Sequence, residues 1–333
     1  MPPVKNSRPS LELQERDRAI FRALFESRLM TLNHIKDLYF KGSYEAAKKG
    51  IQRLKAAGYL RDRGVHRGRD RGVYEPSLLY LTKRSFDELS RGGHLADYPH
   101  FTWKQLEKRI DVSPLTIPHE IEVLNIKTSL TSAFKRTPGV ELMDFLTWPR
   151  LYEFRAAQPP RDGYPASRVT IRPDGYIRFY EQDGEDTHEH FLFLEVDRGT
   201  EHHETLALRF YGYHDYERRG GLAEWYGESA HLRDEFTFRV LVVLGSDERR
   251  NNLAERLLQN NPPVLRRAWL TTYQEITTDP LGAIWMRPLE YREITRGTEF
   301  DPSRRRTGAY RRRKEREAFV AGELEKLALL EVE

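Results

Sequence analysis

Apolar residues recur at helical spacing through the first sixty positions. Ala19, Ile20, Ala23 and Leu24 share one side of a 3.6-residue period and predict a helix over 17–25. Thr31, ahead of Leu32-Asn33-His34-Ile35-Lys36-Asp37-Leu38, predicts a second short helix with a hydroxyl cap. Ser43 is the expected cap of a third, which buries Ala47, Ile51 and Leu54 and stops at Gly58. Tyr44, Lys48, Lys49, Gln52 and Arg53 then fall mostly on its other side. Residues 60–64 and 73–81 read as two strands, with His66-Arg67-Gly68-Arg69-Asp70-Arg71-Gly72 as a basic tip between them.

The pattern changes after residue 115. Ile117 to Phe134 predicts a long helix with Pro118 in its first turn, where a missing N–H costs nothing. Strands are expected over 140–147, 169–179, 191–196, 236–244 and 268–273, and helices over 204–215 and 251–259. Strands interleaved with helices predict an α/β layered domain. Three helices and a basic hairpin in front of it form a winged-helix arrangement, a helix-turn-helix variant. The expected organisation is therefore a loose arm over 1–15, a winged helix over 16–91 and a linker over 92–115. An α/β domain over 116–300 and a basic tail with a terminal helix over 301–333 complete it.

Two domains suit a chain of 333 residues. Hydrophobic residues make up 38% and charged ones 32%, and 16 Phe, 17 Tyr and 5 Trp supply core, which excludes a disordered chain. The net charge is only +4, but it is unevenly spread. Residues 61–71 and 304–316 are arginine-rich and 181–189 acidic, so local patches rather than the total point to a polyanion partner. No cysteine is present, so disulfides and thiolate zinc sites are excluded and a reducing cytoplasm is expected. No apolar run is long enough to span a bilayer, so no membrane partner is expected.

The candidate chemistry lies in Arg172-Pro173-Asp174-Gly175 and Phe191-Leu192-Phe193-Leu194-Glu195-Val196-Asp197. Read as neighbouring strands joined by the polar turn Glu181 to Asp186, they bring Asp174 and Glu195 side by side. Two carboxylates that close repel unless a cation sits between them. Hard oxygen ligands suit Mg²⁺ or Mn²⁺, so the pair reads as a metal-dependent phosphodiesterase site or the relic of one. His188, His190, His202 and His203 lack the spacing of a zinc protease and are expected as solvated loop residues. Asp197, Arg198 and Glu201 are expected to pair locally around a tight turn at Gly199. In the N-terminal half, Tyr44, Lys48, Lys49, Gln52 and Arg53 are candidates for reading a major groove. Arg61, Arg63, Arg67, Arg69 and Arg71 are candidates for phosphate or minor-groove contacts.

These segments together resemble the plasmid replication-relaxation family. The likeness rests on the winged helix, Pro118-His119-Glu120 with Asn125, Pro173-Asp174-Gly175, and the helix carrying Arg209, Tyr213 and Tyr216. Its most specific part is Glu195-Val196-Asp197-Arg198-Gly199-Thr200-Glu201. It covers roughly residues 15 to 245. The resemblance implies a role in plasmid replication, DNA relaxation or mobile elements, and a second domain similar to the PD-(D/E)XK nuclease fold, a mixed sheet flanked by helices. In that pattern Glu120 or Glu122 would be the helical acid, Asp174 the strand acid and Glu195 the start of the Glu-x-Lys triplet. Glu120, Asp174 and Glu195 would then be the metal ligands. The lysine position holds Asp197, which reverses the charge that normally orients the attacking water. Arg209-Phe210-Tyr211-Gly212-Tyr213 matches a Gln-x-x-x-Tyr pattern with arginine in first place, suited to clamping phosphate and unsuited to acting as a base.

Three functions remain open on the sequence. The first is a DNA-binding protein of replication-relaxation type, with double-stranded DNA and other replication or transfer proteins as partners. The second is an active Mg²⁺-dependent endonuclease. The third is a winged-helix transcriptional regulator without enzymatic activity, whose C-terminal half makes a homodimer.

Overall fold

The computed structural model describes residues 11–63, 77–111, 113, 115–150, 152–158, 166–199, 203–296, 320, 324 and 326–330. The chain divides into two compact units. One comprises Met1–Ser132 with Thr147–Arg150, the other Ala133–Leu146 with Leu151–Glu333.

In the first unit, α1 (Glu15–Ser27) starts at a reciprocal cap between Gln14 and Asp17 and buries Ile20, Phe21, Leu24 and Phe25. A two-residue strand, β1 (Met30–Thr31), leads into α2 (Leu32–Tyr39). Thr31 caps α2 as expected, its hydroxyl accepting from the His34 N–H at 3.3 Å. In α3 (Tyr44–Ala56), Ala47, Ile51 and Leu54 are buried. Ser43 holds the N-cap position without a capping hydrogen bond, because this end of the helix is exposed and water can satisfy its N–H groups. Then β2 (Leu60–Arg63) pairs antiparallel with β3 (Leu78–Leu81), and β1 pairs with the far edge of β3. A two-residue strand carries no alternation, which is why β1 escaped the sequence reading. The wing tip, with Arg67, Arg69 and Arg71, lies outside the described residues.

The chain continues as α4 (Lys83–Arg91), α5 (Trp103–Ile110) and α6 (Ile117–Phe134). The stretch 92–115 is therefore not a plain linker. Thr102 and Gln105 cap α5 reciprocally, and Leu106 and Ile110 anchor it in the core. Trp103 packs against the same core, and with Leu106 and Ile110 it makes a short apolar stripe at helical spacing. Most of α6 belongs to this first unit, where Leu124 joins the core. Phe25 is the hub, ringed by Phe86, Tyr98, Phe101 and Trp148 at centroid distances of 5.3 to 6.4 Å.

The second unit is a mixed sheet flanked by helices. Its five strands run in the order β10 (Ala268–Thr272), β9 (Phe238–Leu244), β8 (Asp186–Asp197), β7 (Gly175–Asp183), β4 (Val140–Leu146). β8, β9 and β10 are parallel, while β7 and β4 are antiparallel additions. A separate two-stranded ribbon is formed by β5 (Phe154–Gln158) and β6 (Ser167–Ile171). The single strand expected over 169–179 is thus two strands in two sheets. Pro173, which has no N–H for a ladder, marks the break. α7 (His203–Arg218) packs on β5 and β6 at Gly212, where an added Cβ would come within 2.9 Å of Ile171 Cγ1. α8 (Gly221–Trp225), α9 (Asp247–Leu258), α10 (Tyr273–Thr278) and α11 (Pro288–Arg296) complete the unit. Among the described residues no helix is long and apolar enough to cross a membrane.

Odd-numbered residues at the end of β8 face α7. Phe193 meets Tyr152, Tyr176, Tyr213 and Phe238 at centroid distances of 4.9 to 5.5 Å, so this face is an aromatic core. Phe193→Ala should cost roughly 3–5 kcal/mol, since the surrounding rings relax only partly into the cavity. Urea unfolding followed by near-UV circular dichroism measures it.

Candidate functional site

The hairpin of β7 and β8 sets the geometry. Gly175 lies opposite Leu194, and Asp174, one residue earlier, brings its charge close to Glu195. Asp174 sits just before β7 rather than inside a strand. Its N–H donates to the Leu194 carbonyl at 2.8 Å, and its Oδ2 accepts from the Val196 N–H at 2.8 Å. The carboxylate therefore stands in for the ladder carbonyl that the turn at Pro173 removes.

Glu195 is 1% exposed. One of its oxygens accepts from Arg209 Nη1 at 2.6 Å and the other from the Tyr213 hydroxyl at 2.7 Å. Arg209 and Tyr213 are one helical turn apart on α7, so one helix face holds both oxygens. Burial pushes the Glu195 pKa up, Arg209 opposes that, and the neighbouring Asp174 charge adds to it. Burial and the Glu195 charge push the Tyr213 phenol far up, which keeps it a donor.

Asp197, two residues on, faces the same way and is also buried. Its Oδ2 accepts from Arg249 Nε at 3.0 Å and Nη2 at 2.5 Å. Its Oδ1 accepts from the Gly199 N–H at 2.9 Å, in a turn where Gly199 adopts φ +87°. The expected left-handed glycine is present, but the cation that answers Asp197 is Arg249 of α9. Thr200 and Glu201 lie outside the described residues. Topology explains Arg249: Asp197 pairs with Leu244 across the parallel strands, and α9 starts three residues after Leu244. No local sequence signal links residues 197 and 249.

Among the described residues, no three His, Asp or Glu side chains converge on a point that could hold a metal ion. A hard divalent ion needs carboxylate oxygens turned to a shared centre. Here a guanidinium engages one Glu195 oxygen and a phenol the other, so both oxygens are turned to donors on α7. Glu120, the helical acid of the family pattern, is a member of the first unit, where it pairs with Arg28 Nη2 at 3.2 Å. Asn125, on the same helix, meets His34 Nε2 at 2.5 Å and so joins α6 to α2. The structure therefore brings Asp174, Glu195 and Arg209 together, and assigns Glu120 to a different set of partners.

The histidines differ from expectation. His188 and His190 belong to β8, and His190 is buried, stacked on Phe179 and 2.8 Å from Glu181 Oε2. Residues 186–190 extend the hairpin that the sequence read as a loop, because the turn is only Gly184-Glu185. His203 begins α7, and His202 lies outside the described residues.

In the first unit, Tyr44, Lys48, Lys49 and Gln52 form an exposed row on α3, with Tyr44 at 49%. Arg53 does not belong to that row. Its Nη2 donates to the buried Asp17 carboxylate at 2.5 Å and ties α3 to α1. Arg61 is exposed on β2, whereas Arg63 donates to the Ile110 carbonyl at 2.8 Å. Both line a groove of about 570 Å³ with Lys83, Arg84 and Trp103.

Comparison with known families gives a match to the model described as Replication-relaxation over residues 21–228, well over half of the chain. No curated protein matches, and no solved structure does.

Two outcomes follow for the acidic core. Tyr213→Phe should cost about 1–3 kcal/mol, since a buried carboxylate loses a partner, as read by urea unfolding. A raised pKa in the folded state means that the stabilisation from Glu195 is complete below its unfolded pKa and is lost as pH rises through the folded one. The wild type should therefore lose stability from this group above the ordinary carboxylate range. Glu195→Gln should lack that component, giving a flatter series of urea midpoints from acid to neutral pH.

Proposed function

The chain belongs to the replication-relaxation family, which ties it to replication or DNA processing of mobile elements, and on that premise we propose that it is a DNA-binding protein with an inert nuclease-like core. The N-terminal unit docks on duplex DNA through α3. The carboxylates of the second unit hold the fold together instead of cutting phosphodiesters. The protein works in the cytoplasm beside other replication or transfer proteins.

The observation that carries DNA binding is the row Tyr44, Lys48, Lys49 and Gln52, exposed along the helix whose opposite stripe is buried. An α-helix fits the major groove, and this row combines phosphate-seeking lysines with an amide suited to adenine. Arg61 adds positive charge on the adjoining strand. For the inert core, the supporting observation is the full engagement of Glu195 by Arg209 and Tyr213, together with Asp197 in the lysine position. A lysine there would orient water, whereas Asp197 and Arg249 neutralise each other. An active endonuclease keeps one favourable observation, the closeness of the Asp174 charge to Glu195.

Replacing Lys48 and Lys49 by alanine should weaken binding to every duplex and reduce the slope of log K against log salt by about 1.8, roughly 0.9 per phosphate contact. Gln52→Ala should instead change the ranking of sequences, by about 1–3 kcal/mol at one base pair. Fluorescence anisotropy across a salt series reads both, and an unchanged slope in the lysine variant removes α3 as the docking helix. Footprinting separates the roles, because a regulator protects its own promoter and a replication or transfer factor protects an origin-like site. Supercoiled plasmid incubated with Mg²⁺ or Mn²⁺ should stay intact with the wild type. Nicking that disappears in both Asp174→Ala and Glu195→Ala would establish the endonuclease instead.

A further inference from the structure

In the first unit, the strand pair β2–β3 and the helix α5 enclose a groove that is separate from the exposed row on α3. Arg61 lies opposite Tyr80 across the two antiparallel strands, so their side chains are neighbours on one face. Trp103, Glu107 and Ile110 follow one another at spacings of four and three and share one side of α5. Arg63, on the same strand face as Arg61, donates to the Ile110 carbonyl at 2.8 Å and clasps the helix to the strands. The space between them is about 570 Å³, and Arg61, Tyr80, Trp103, Glu107 and Asp111 all line it. That volume is within the range of small-ligand sites.

The two walls differ in charge. On the strand wall Arg61 is exposed and has no ion pair among the described residues. On the helix wall Glu107 and Asp111 are exposed and equally unpaired among the described residues. The remaining cations of the lining are committed elsewhere. Lys83 pairs with Asp87 at 2.7 Å, and Arg84 donates to the Ala57 carbonyl at 2.6 Å while lying over the Tyr59 ring. Tyr80 and Trp103 are both half-buried, and Trp103 leans on Phe86 with 6.1 Å between centroids, which holds its ring in place. A ligand that answers this set needs an anionic group for Arg61 and a planar ring for the two aromatic side chains. It also needs N–H groups for the carboxylates, which only accept hydrogen bonds. A nucleotide whose base bears an amino group carries all three. Inorganic phosphate has only the first, and a lysine side chain only the last. In a duplex the ring faces are stacked and the amino group is paired, so the nucleotide has to be unpaired.

We infer that this groove binds one unpaired nucleotide with an amino-bearing base, either free or as part of a single strand. The inference goes beyond duplex docking by α3 and does not rest on it.

The test uses the full chain with Arg61→Ala and, separately, Glu107→Ala combined with Asp111→Ala. All three residues are exposed, so circular dichroism should show an intact fold. Adenosine monophosphate is titrated by calorimetry at constant ionic strength, beside inorganic phosphate and uridine monophosphate. Short oligodeoxyadenylate and oligothymidylate are titrated by anisotropy, since adenine has the amino group that thymine lacks. If the ligand is a free nucleotide, the wild type prefers adenosine monophosphate to both controls and Arg61→Ala weakens it about tenfold, the loss of one charge-assisted contact. If the ligand is part of a strand, the wild type prefers oligodeoxyadenylate, and Arg61→Ala lowers the salt slope by about 0.7. In either case the carboxylate variant loses the preference for adenine, and Trp103→Leu weakens every base-bearing ligand about tenfold. A wild type without preference for adenine in both titrations, or a preference that survives loss of both carboxylates, overturns the inference. A lysine-rich peptide that binds only while Glu107 and Asp111 are present, with no nucleotide bound, overturns it too and makes the groove a peptide site. The Lys48 and Lys49 variant separates this groove from α3, because it should lose duplex binding and keep the preference for adenine.

Discussion

A carboxylate buried at the end of a central strand is the constraint on which the second unit depends. Glu195 has almost no access to water, and a lone ionised carboxylate there would cost several kcal/mol in desolvation. Arg209 and Tyr213 offset that cost from a single face of α7. The same helix must approach β5 and β6 closely, which Gly212 allows. Position, angle and chemistry of α7 are therefore set together. Asp174 and Asp197 extend the pattern on either side, one closing the hairpin ladder and the other fastening α9 through Arg249.

This pattern changes the meaning of the family motif. Carboxylates on adjacent strands can gather a metal ion, or they can be neutralised by fixed cations. Here the arginines at 209 and 249 supply the positive charge from helices. The motif residues of α6 behave similarly. Glu120 and Asn125 each have a partner within the first unit, Arg28 and His34, and brace a helical core.

Charge is managed differently on the outside of the first unit. α3 buries three apolar residues on one stripe and leaves two lysines, a tyrosine and a glutamine on the other. Arg53 shows why a helical wheel alone is an incomplete guide. It lies near the polar stripe, yet Asp17 is buried beneath it and needs a cation. A residue assigned to DNA by periodicity is thereby committed to joining two helices.

The sequence alone determined the main helices, the α/β character of the second unit and the hairpin that carries Asp174 and Glu195. Each rests on short-range information: apolar period, capping residues, or the two strands of one hairpin. It also located the exposed row on α3, because a helix of known phase fixes which side is buried. Only the tertiary structure decided what answers each buried charge. Arg249 reaches Asp197 across 52 residues, and Arg53 reaches Asp17 across 36. Such meetings depend on strand order and on helices returning to a sheet edge, and neither leaves a trace in local spacing.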